Sequence, residues 1–494
     1  MNIRKTTTQL FSVPVLLVMI FSWSVAGQLP ARLQKAVEAI DPLLAYQLTR
    51  TMASEEFAGR LTGHEGYTRA ARWAATRFKE WGLKPLDARN GYLQPYPSPY
   101  TIIDQASMTL HLPVKAGSDG QVQYETIELK PEKDFLPLLY SDSGNHTAGL
   151  AFVGWGISAP ELNYDDYAGV EVKGKFVLCF RGTPDPTRRE FQSHDEHRTR
   201  MKTAREKGAF GLIYIYPEAQ ANPNGDWLAG FMPGMITEKT ADQIFREINS
   251  SSAELKKSLQ TYKRPISFHL KARLSYSVSS RHFPEATGYN VAGWVEGSDP
   301  KLSKEVIIIG GHFDHCGRHL GLLFPGANDN ASGSAVVMTL ARAFASLNPK
   351  PKRSLMFVLF GGEELGLQGS TYFANHLPAG FDRVAAMFNF DMEGEGDGAW
   401  CGVSAEPPYL KEAIERANRE INIIRGYGVI KNIGVRSSDF APFFLKGIPC
   451  ASLGSNGPHL AYHGTGDTIY RINPEIMGSI ARVSFLSIYF LAER

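Results

Sequence analysis

Residues 306–334 read VIIIGGHFDHCGRHLGLLFPGANDNASGS. The run Val306 to Ile309 is apolar and β-branched, as a buried strand is, and Gly310-Gly311 breaks it. His312 and Asp314 follow at once, at the end of that strand. A loop rich in Gly, Pro and Asn then delivers Asp329, just before a helical pattern starting near Ser332. An imidazole nitrogen and a hard carboxylate, each on a loop at the edge of a sheet, are the donor types of a catalytic zinc site. Two such residues only raise the possibility; further ligands must come from elsewhere in the chain.

They come from downstream. After Thr287 strands and helices alternate regularly. Strands read at 289–296, 305–311, 354–361, 384–391, 399–403 and 448–453, and helices near 331–346, 369–377, 407–420, 437–446 and 474–491. This rhythm predicts an α/β fold with a mixed, largely parallel sheet sandwiched by helices. In such sheets ligands gather at the carboxyl ends of the strands. The polar residues obey that rule: Glu363-Glu364 follow LMFVLFGG (355–362), Asp391 ends AMFNFD (386–391), and His463 lies in YHGTGDT (462–468). Any one of these alone reads as an ordinary strand-end polar residue; all of them at successive strand ends do not. One imidazole and one terminal carboxylate per metal, with a carboxylate shared between the two, make a co-catalytic pair.

GGHFDH, NDNASG, GGEELGLQGS, NFDM and YHGTGDT, in this order, resemble the di-zinc aminopeptidase family, which also holds glutamate carboxypeptidases and glutaminyl cyclases. The likeness spans roughly 40–125 and 285–494. It implies the zinc exopeptidase fold and two Zn2+ per chain. Asp329 would bridge both ions, His312 and Asp391 would complete one site, and Glu364 and His463 the other. Glu363 would be the general base, and Asp314 would orient the His312 imidazole through its second nitrogen. The reaction implied is hydrolysis of the N-terminal peptide bond of a peptide by a metal-bridged hydroxide. Tyr427 and Tyr462 are candidate donors to the negative intermediate.

Neighbouring residues depart from the family pattern. His315 and His319 lie beside the site but off it, and His459 reads as an outer neighbour of His463. Cys316 is close to His312 but is not read as a ligand. Asp439, in SSDFAPF (437–443), matches a family position that His usually follows; Phe440 stands there instead, so any role carried by that His is void.

Upstream, residues 30–86 read as helical, with FAGRLTGHEG (57–66) between two amphipathic stretches; Arg60 and His64 in it read as a solvated loop. From Tyr92 to about Asp134 short strands alternate. NYDDYAGVEVKGKFVL (163–178) and the helix–Gly–strand element in 201–216 resemble a protease-associated domain. That likeness implies a β-rich module with a lid or docking role and no catalysis. The division expected is therefore a peptidase domain at 27–134 and 285–494, with the inserted module at 135–284.

The chain's 494 residues and 43% apolar content can build more than one core. Lys and Arg number 52 against 50 Asp and Glu, so nothing points to nucleic acid as a partner; peptides are the expected substrates. Arg4-Lys5, an apolar run from Leu10 to Trp23, and Ser24-Val25-Ala26 read as a signal peptide over 1–26. An exported protein, periplasmic or secreted, is expected, with no membrane insertion once the signal is cleaved and no later stretch apolar enough to span a bilayer. Four scattered cysteines are no disulfide scaffold, although one bond involving Cys401 is an option.

The leading reading is a zinc metallo-aminopeptidase. A carboxypeptidase or dipeptidase acting on acidic peptides is the runner-up. It would need an Arg cluster to hold substrate carboxylates, for which Arg353 and Arg436 are the candidates. Glutaminyl cyclase chemistry uses one zinc, and a metal-free receptor-like protein would not keep every ligand.

Overall fold

Val306–Ile309 forms its strand because it is apolar on both sides. Val306 and Ile308 enter one core, Ile307 and Ile309 another, as the two-residue period of a strand dictates. The computed structural model describes residues 29–86, 89–116, 122–431 and 438–494; the expected signal segment lies outside them. The strand Glu305–His312 runs parallel to Ser354–Phe360 on one side and Arg383–Phe390 on the other. Cys450–Ser455 extends the parallel set beyond Arg383–Phe390. Around this centre the sheet is mixed: Thr287–Val295 pairs antiparallel with Ser354–Phe360, and Ala399–Ser404 antiparallel with Cys450–Ser455. Nine strands take part. One of them, Ile424–Ile430, has two glycines and half-exposed residues, and its sequence shows no strand alternation.

Helices cover both faces. Pro42–Met52, Glu65–Glu80, Gly333–Ser346, Pro408–Ile421 and Pro474–Glu493 pack on one, Gln368–Asn375 and the short Ala441–Phe444 on the other. Pro474–Glu493 corrects one expectation. It is long and apolar enough to cross a membrane, but 78% of its apolar window is buried inside the protein, so its apolarity serves the core. The helix expected over 437–446 is described only as Ala441–Phe444, with Pro442 in its first turn.

A second sheet of eight strands has its own apolar core. Its order runs Val122–Leu129, Tyr100–Ala116, Ser267–Phe283, Gly144–Val153, Phe176–Phe180, Gly211–Tyr216, Gly234–Thr237 and Phe135–Pro137. The long strands Tyr100–Ala116 and Ser267–Phe283 pair antiparallel with each other. This sheet therefore starts at Tyr100 rather than at residue 135. Alternation in 92–134 announces strands but not their partners, and partner choice here joins residues more than 150 apart in sequence. All four cysteines are buried and free, so Cys401 forms no disulfide.

Candidate metal centre

The strand ends converge as their apolar cores require. His312 closes Glu305–His312, and its Nε2 lies 3.2 Å from Asp329 Oδ1 and 3.4 Å from Asp391 Oδ1. His463 Nε2 lies 3.2 Å from Asp329 Oδ2 and 3.0 Å from Glu364 Oε2. Asp329 thus turns one oxygen to each group, which is the sharing that the sequence motifs imply. His312, Asp329, Glu364 and His463 are all buried. Glu363 precedes Glu364 on the loop after Ser354–Phe360, beside His312.

The loops that present these groups are held by side chains. Asp467, from YHGTGDT, accepts the backbone N–H groups of Asn328 at 2.8 Å and Asp329 at 2.9 Å. Asn330 donates to the Phe390 carbonyl at 2.8 Å and accepts from the N–H of Gly333 and Met392, tying the Asp329 loop to the Asp391 loop. Ser438 donates to Asp391 Oδ2 at 2.7 Å. His459 meets the Asn328 side chain at 2.9 Å, an outer place as expected. Asp314 differs in detail. His312 Nδ1 donates to the Asp314 main-chain carbonyl at 3.3 Å, while the carboxylate is 3.8 Å away. That carboxylate instead accepts the Glu363 N–H at 3.2 Å, so it joins the His312 strand to the loop carrying Glu363.

Arg60 is the residue most misread from the sequence. It is fully buried, not part of a solvated loop. Its Nε donates to the Phe313 carbonyl at 2.8 Å; Nη1 reaches Met52 and Pro325 at 2.6 and 2.8 Å; Nη2 reaches Gly326 at 2.8 Å. It clamps the loops carrying His312 and Asp329 from beneath. The sequence signal was weak: one Arg in a Gly-punctuated connection. Burial lowers its pKa to about 10, while Asp467, Asp314, Asp329 and Glu364 pull the other way. His64 caps Glu65–Glu80, its ring nitrogen accepting the Gly66 N–H at 3.1 Å.

The carboxylates gathered here need protons or cations to balance them. Asp314, Asp329, Glu363, Glu364, Asp391 and Asp439 crowd one edge, facing the imidazoles of His312, His315 and His463, with Arg60 spending its hydrogen bonds on carbonyls. Burial pushes Glu363 well above the usual carboxylate range, opposed by His312 and reinforced by Glu364, Asp439 and Asp391. Burial likewise raises Asp314 and Asp439 to about 7. Buried like charges at this density call for bound metal. Asp329 Oδ2 and His463 Nε2 are both buried without a hydrogen-bond partner, each turned toward the same ligand group. Nitrogen and oxygen donors in two sets sharing a carboxylate fit two zinc ions.

The remaining candidates separate. His315 stands closer than the sequence allowed, its Nδ1 donating to Glu364 Oε1 at 2.9 Å. Cys316 lies among His315, Glu364 and His463, but burial and the acidic neighbours push its thiol well up. His319 faces away, accepting the Ile103 N–H at 3.0 Å. Tyr462 stacks on the His463 ring at 3.9 Å. Tyr427 is misassigned as a candidate donor: its polar neighbours are Cys401, Glu415, Asn418 and Arg419, none of them candidate ligands. Arg353 pairs with Glu305 at 2.7 Å, at the amino end of the strands and opposite the ligand edge, so it cannot hold a substrate carboxylate there. Arg436 lies outside the described residues.

Residues 290–488 match the family model of Peptidase family M28. An aminopeptidase of Pseudomonas aeruginosa is 25% identical over 439 residues, covering 86% of this chain and 72% of that one. Leupeptin-inactivating enzyme 1 of Streptomyces exfoliatus is 36% identical over 179 residues, which cover 35% of this chain and 37% of that protein. The structure of BSAP, a zinc aminopeptidase from Bacillus subtilis, superposes with a TM-score of 0.59 at 20% identity, over 91% of this chain and 95% of that one.

Proposed function

We propose that this chain, a member of the di-zinc aminopeptidase family M28, is a zinc-dependent exopeptidase that removes N-terminal residues from peptides. The observation that carries the reading is Asp329, whose two oxygens face two separate imidazole–carboxylate groups. His312, Asp329 and Asp391 would hold one ion, and His463, Asp329 and Glu364 the other. Bound there, the ions would lower the pKa of a water and polarise the scissile carbonyl.

The protein's own groups do the rest. Glu363 takes the proton from the attacking water and passes it to the leaving amine. Its neighbour Asp314 holds the Glu363 N–H at 3.2 Å, which keeps the general base in register with His312. Tyr462, 45% exposed over the His463 ring, is positioned to donate toward the negative intermediate. Arg60 holds the backbone of both ligand loops against the repulsion of their carboxylates.

Export is part of the proposal, supported by the basic pair, apolar run and small-residue site in residues 1–26. N-terminal sequencing of the mature protein checks it; a first residue at Met1 refutes cleavage. The activity is tested with free-amine, acetylated and carboxyl-blocked dipeptides, with and without a chelator. Cleavage of free-amine substrates that stops on chelation is expected. Cleavage of acetylated substrates alone, or activity indifferent to chelation, overturns the reading.

A further inference from the structure

The outer partners of the ligands come mostly from the nine-stranded sheet and its loops: Asp314 for His312, Ser438 for Asp391, Asp467 for the Asp329 backbone, His315 for Glu364. His463 is held differently. Its Nδ1 lies 2.9 Å from the carbonyl oxygen of Ala221, and the Ala221 N–H donates to the His463 carbonyl at 2.9 Å. Ala221 is fully buried and follows Gly211–Tyr216, a strand of the eight-stranded sheet.

The geometry sets the tautomer. His463 Nε2 points at Asp329 and Glu364, so the ring proton belongs on Nδ1, where the Ala221 carbonyl accepts it. A backbone carbonyl neither titrates nor rotates away. His463 itself sits at φ 53°, a left-handed conformation that a non-glycine residue keeps only when its surroundings hold it.

The segment around Ala221 is itself fastened. Leu139 donates its N–H to the Asn222 carbonyl at 3.0 Å, and the Asn222 side chain accepts the Asn224 N–H at 3.0 Å. Arg198 spans the gap between the sheets. It donates to Asn224 Oδ1 at 2.6 Å, to Asp226 Oδ1 at 2.7 Å and to the carbonyl of Leu365 at 2.9 Å. Leu365 is the residue after Glu364. Thr465, two residues after His463, hydrogen-bonds the Glu132 carboxylate from the same side.

We infer that the eight-stranded sheet supplies the outer partner of His463 at the metal position formed by Glu364 and His463, so that its docking through Ala221 and Arg198 sets the affinity of that ion. The inference rests on the metallopeptidase reading and replaces a passive lid with a positioning role. Ligands that bind the second sheet and shift residues 219–226 would then alter metal occupancy at one position without touching the other.

The test uses the full chain, stripped of metal and titrated with Co2+, following visible absorption and bound metal by mass spectrometry. Four proteins are compared: wild type, Ala221→Pro, which removes the N–H to His463, Arg198→Ala, which cuts the tie to Leu365, and Lys256→Ala. Lys256 pairs with Glu238 in the second sheet's helices and makes none of these contacts. Outer partners of metal-binding histidines are worth roughly 10–100-fold in affinity. Ala221→Pro keeps the carbonyl partner and loses only the N–H that pins it to the His463 backbone, so one of two binding steps is expected to weaken by up to that factor in Ala221→Pro and by several-fold in Arg198→Ala, with the other step and Lys256→Ala unchanged. Arg198 is partly exposed, so its loss leaves the fold intact and keeps the test open even if the proline unfolds the chain. Wild-type affinity at both steps in both variants overturns the inference. So does a parallel weakening of both steps that follows lost thermal stability. A wild-type chain that takes up no divalent ion overturns the metallopeptidase reading, and this inference with it.

Discussion

Two regions of this protein bury charge, and they do it in opposite ways. In the second sheet, Asp195 receives Arg181 at 3.0 Å and Arg200 at 2.8 Å. Nearby Asp166 accepts the N–H groups of Trp155 and Ile157 and the Tyr164 hydroxyl within 3.1 Å. Arg200 also donates to the Trp155 carbonyl at 2.7 Å. Two guanidinium groups share the one carboxylate of Asp195, and Asp166 is met by neutral donors and keeps its proton. At the candidate metal centre, by contrast, several carboxylates face imidazoles that are themselves candidate ligands, and Arg60 meets only carbonyls. Burial of charge does not mark a functional site, since structural networks bury it too. Charge left uncompensated by the protein does.

That contrast can be broken experimentally. The largest effect belongs to Asp329→Ala, which removes the acceptor shared by both groups. Metal content should fall toward zero and peptidase activity by more than roughly 10³-fold; retention of one tightly bound ion would show that the two positions are independent. Next comes Glu363→Gln, expected to keep its metal and to lose roughly 10²–10⁴-fold in kcat. A tenth of wild-type turnover in that variant would remove Glu363 from the mechanism.

Arg60→Met and Arg200→Met compare the regions directly. Each breaks a fully buried guanidinium network, so each should cost roughly 3–5 kcal/mol in urea unfolding. Only Arg60→Met should also reduce metal content, because only Arg60 holds ligand loops. Equal metal loss in both would dissolve the distinction.

The smallest effect concerns Asp166. Burial raises its pKa from 3.8 to about 7 in the folded protein, against the opposing pull of the Ile157 N–H, Tyr164 and the Trp155 N–H. Between those values the folded chain keeps a proton that the unfolded chain releases. Its contribution is therefore present below pH 3.8 and lost as pH rises toward 7, with a slope of at most about 1.4 kcal/mol per unit. Stability of Asp166→Asn, measured across that window in metal-free protein, should lack this component. An unchanged slope would place the proton elsewhere.

Three members of the candidate ligand group, His312, Glu364 and Asp391, were legible because each follows an apolar strand, and strand ends of a parallel sheet collect on one edge by geometry alone; Asp329 and His463 come from loops and were placed by their motifs. The central strands were legible for the same reason: runs such as Val306–Ile309 and Leu355–Phe360 are buried on both faces and carry a strong local signal. Ile424–Ile430 carried none, being half-exposed and interrupted by glycine. Arg60 was misread because its four acceptors are backbone carbonyls, which every residue has and no sequence displays. Tyr427 failed for a related reason: a tyrosine near the right place in sequence lies against the helix Pro408–Ile421 in space.

Local pattern thus specified the parallel core, the order of the ligands and the chemistry their donor atoms favour, because periodicity and residue type act over a few positions. Partner choice over long separations was left to the tertiary structure. It decided that Tyr100–Ala116 joins the second sheet, that Arg60 is buried beneath the site, and that Ala221 meets His463 across 242 residues of chain. Those contacts are made by backbone groups common to every residue, and only folding determines which of them come together.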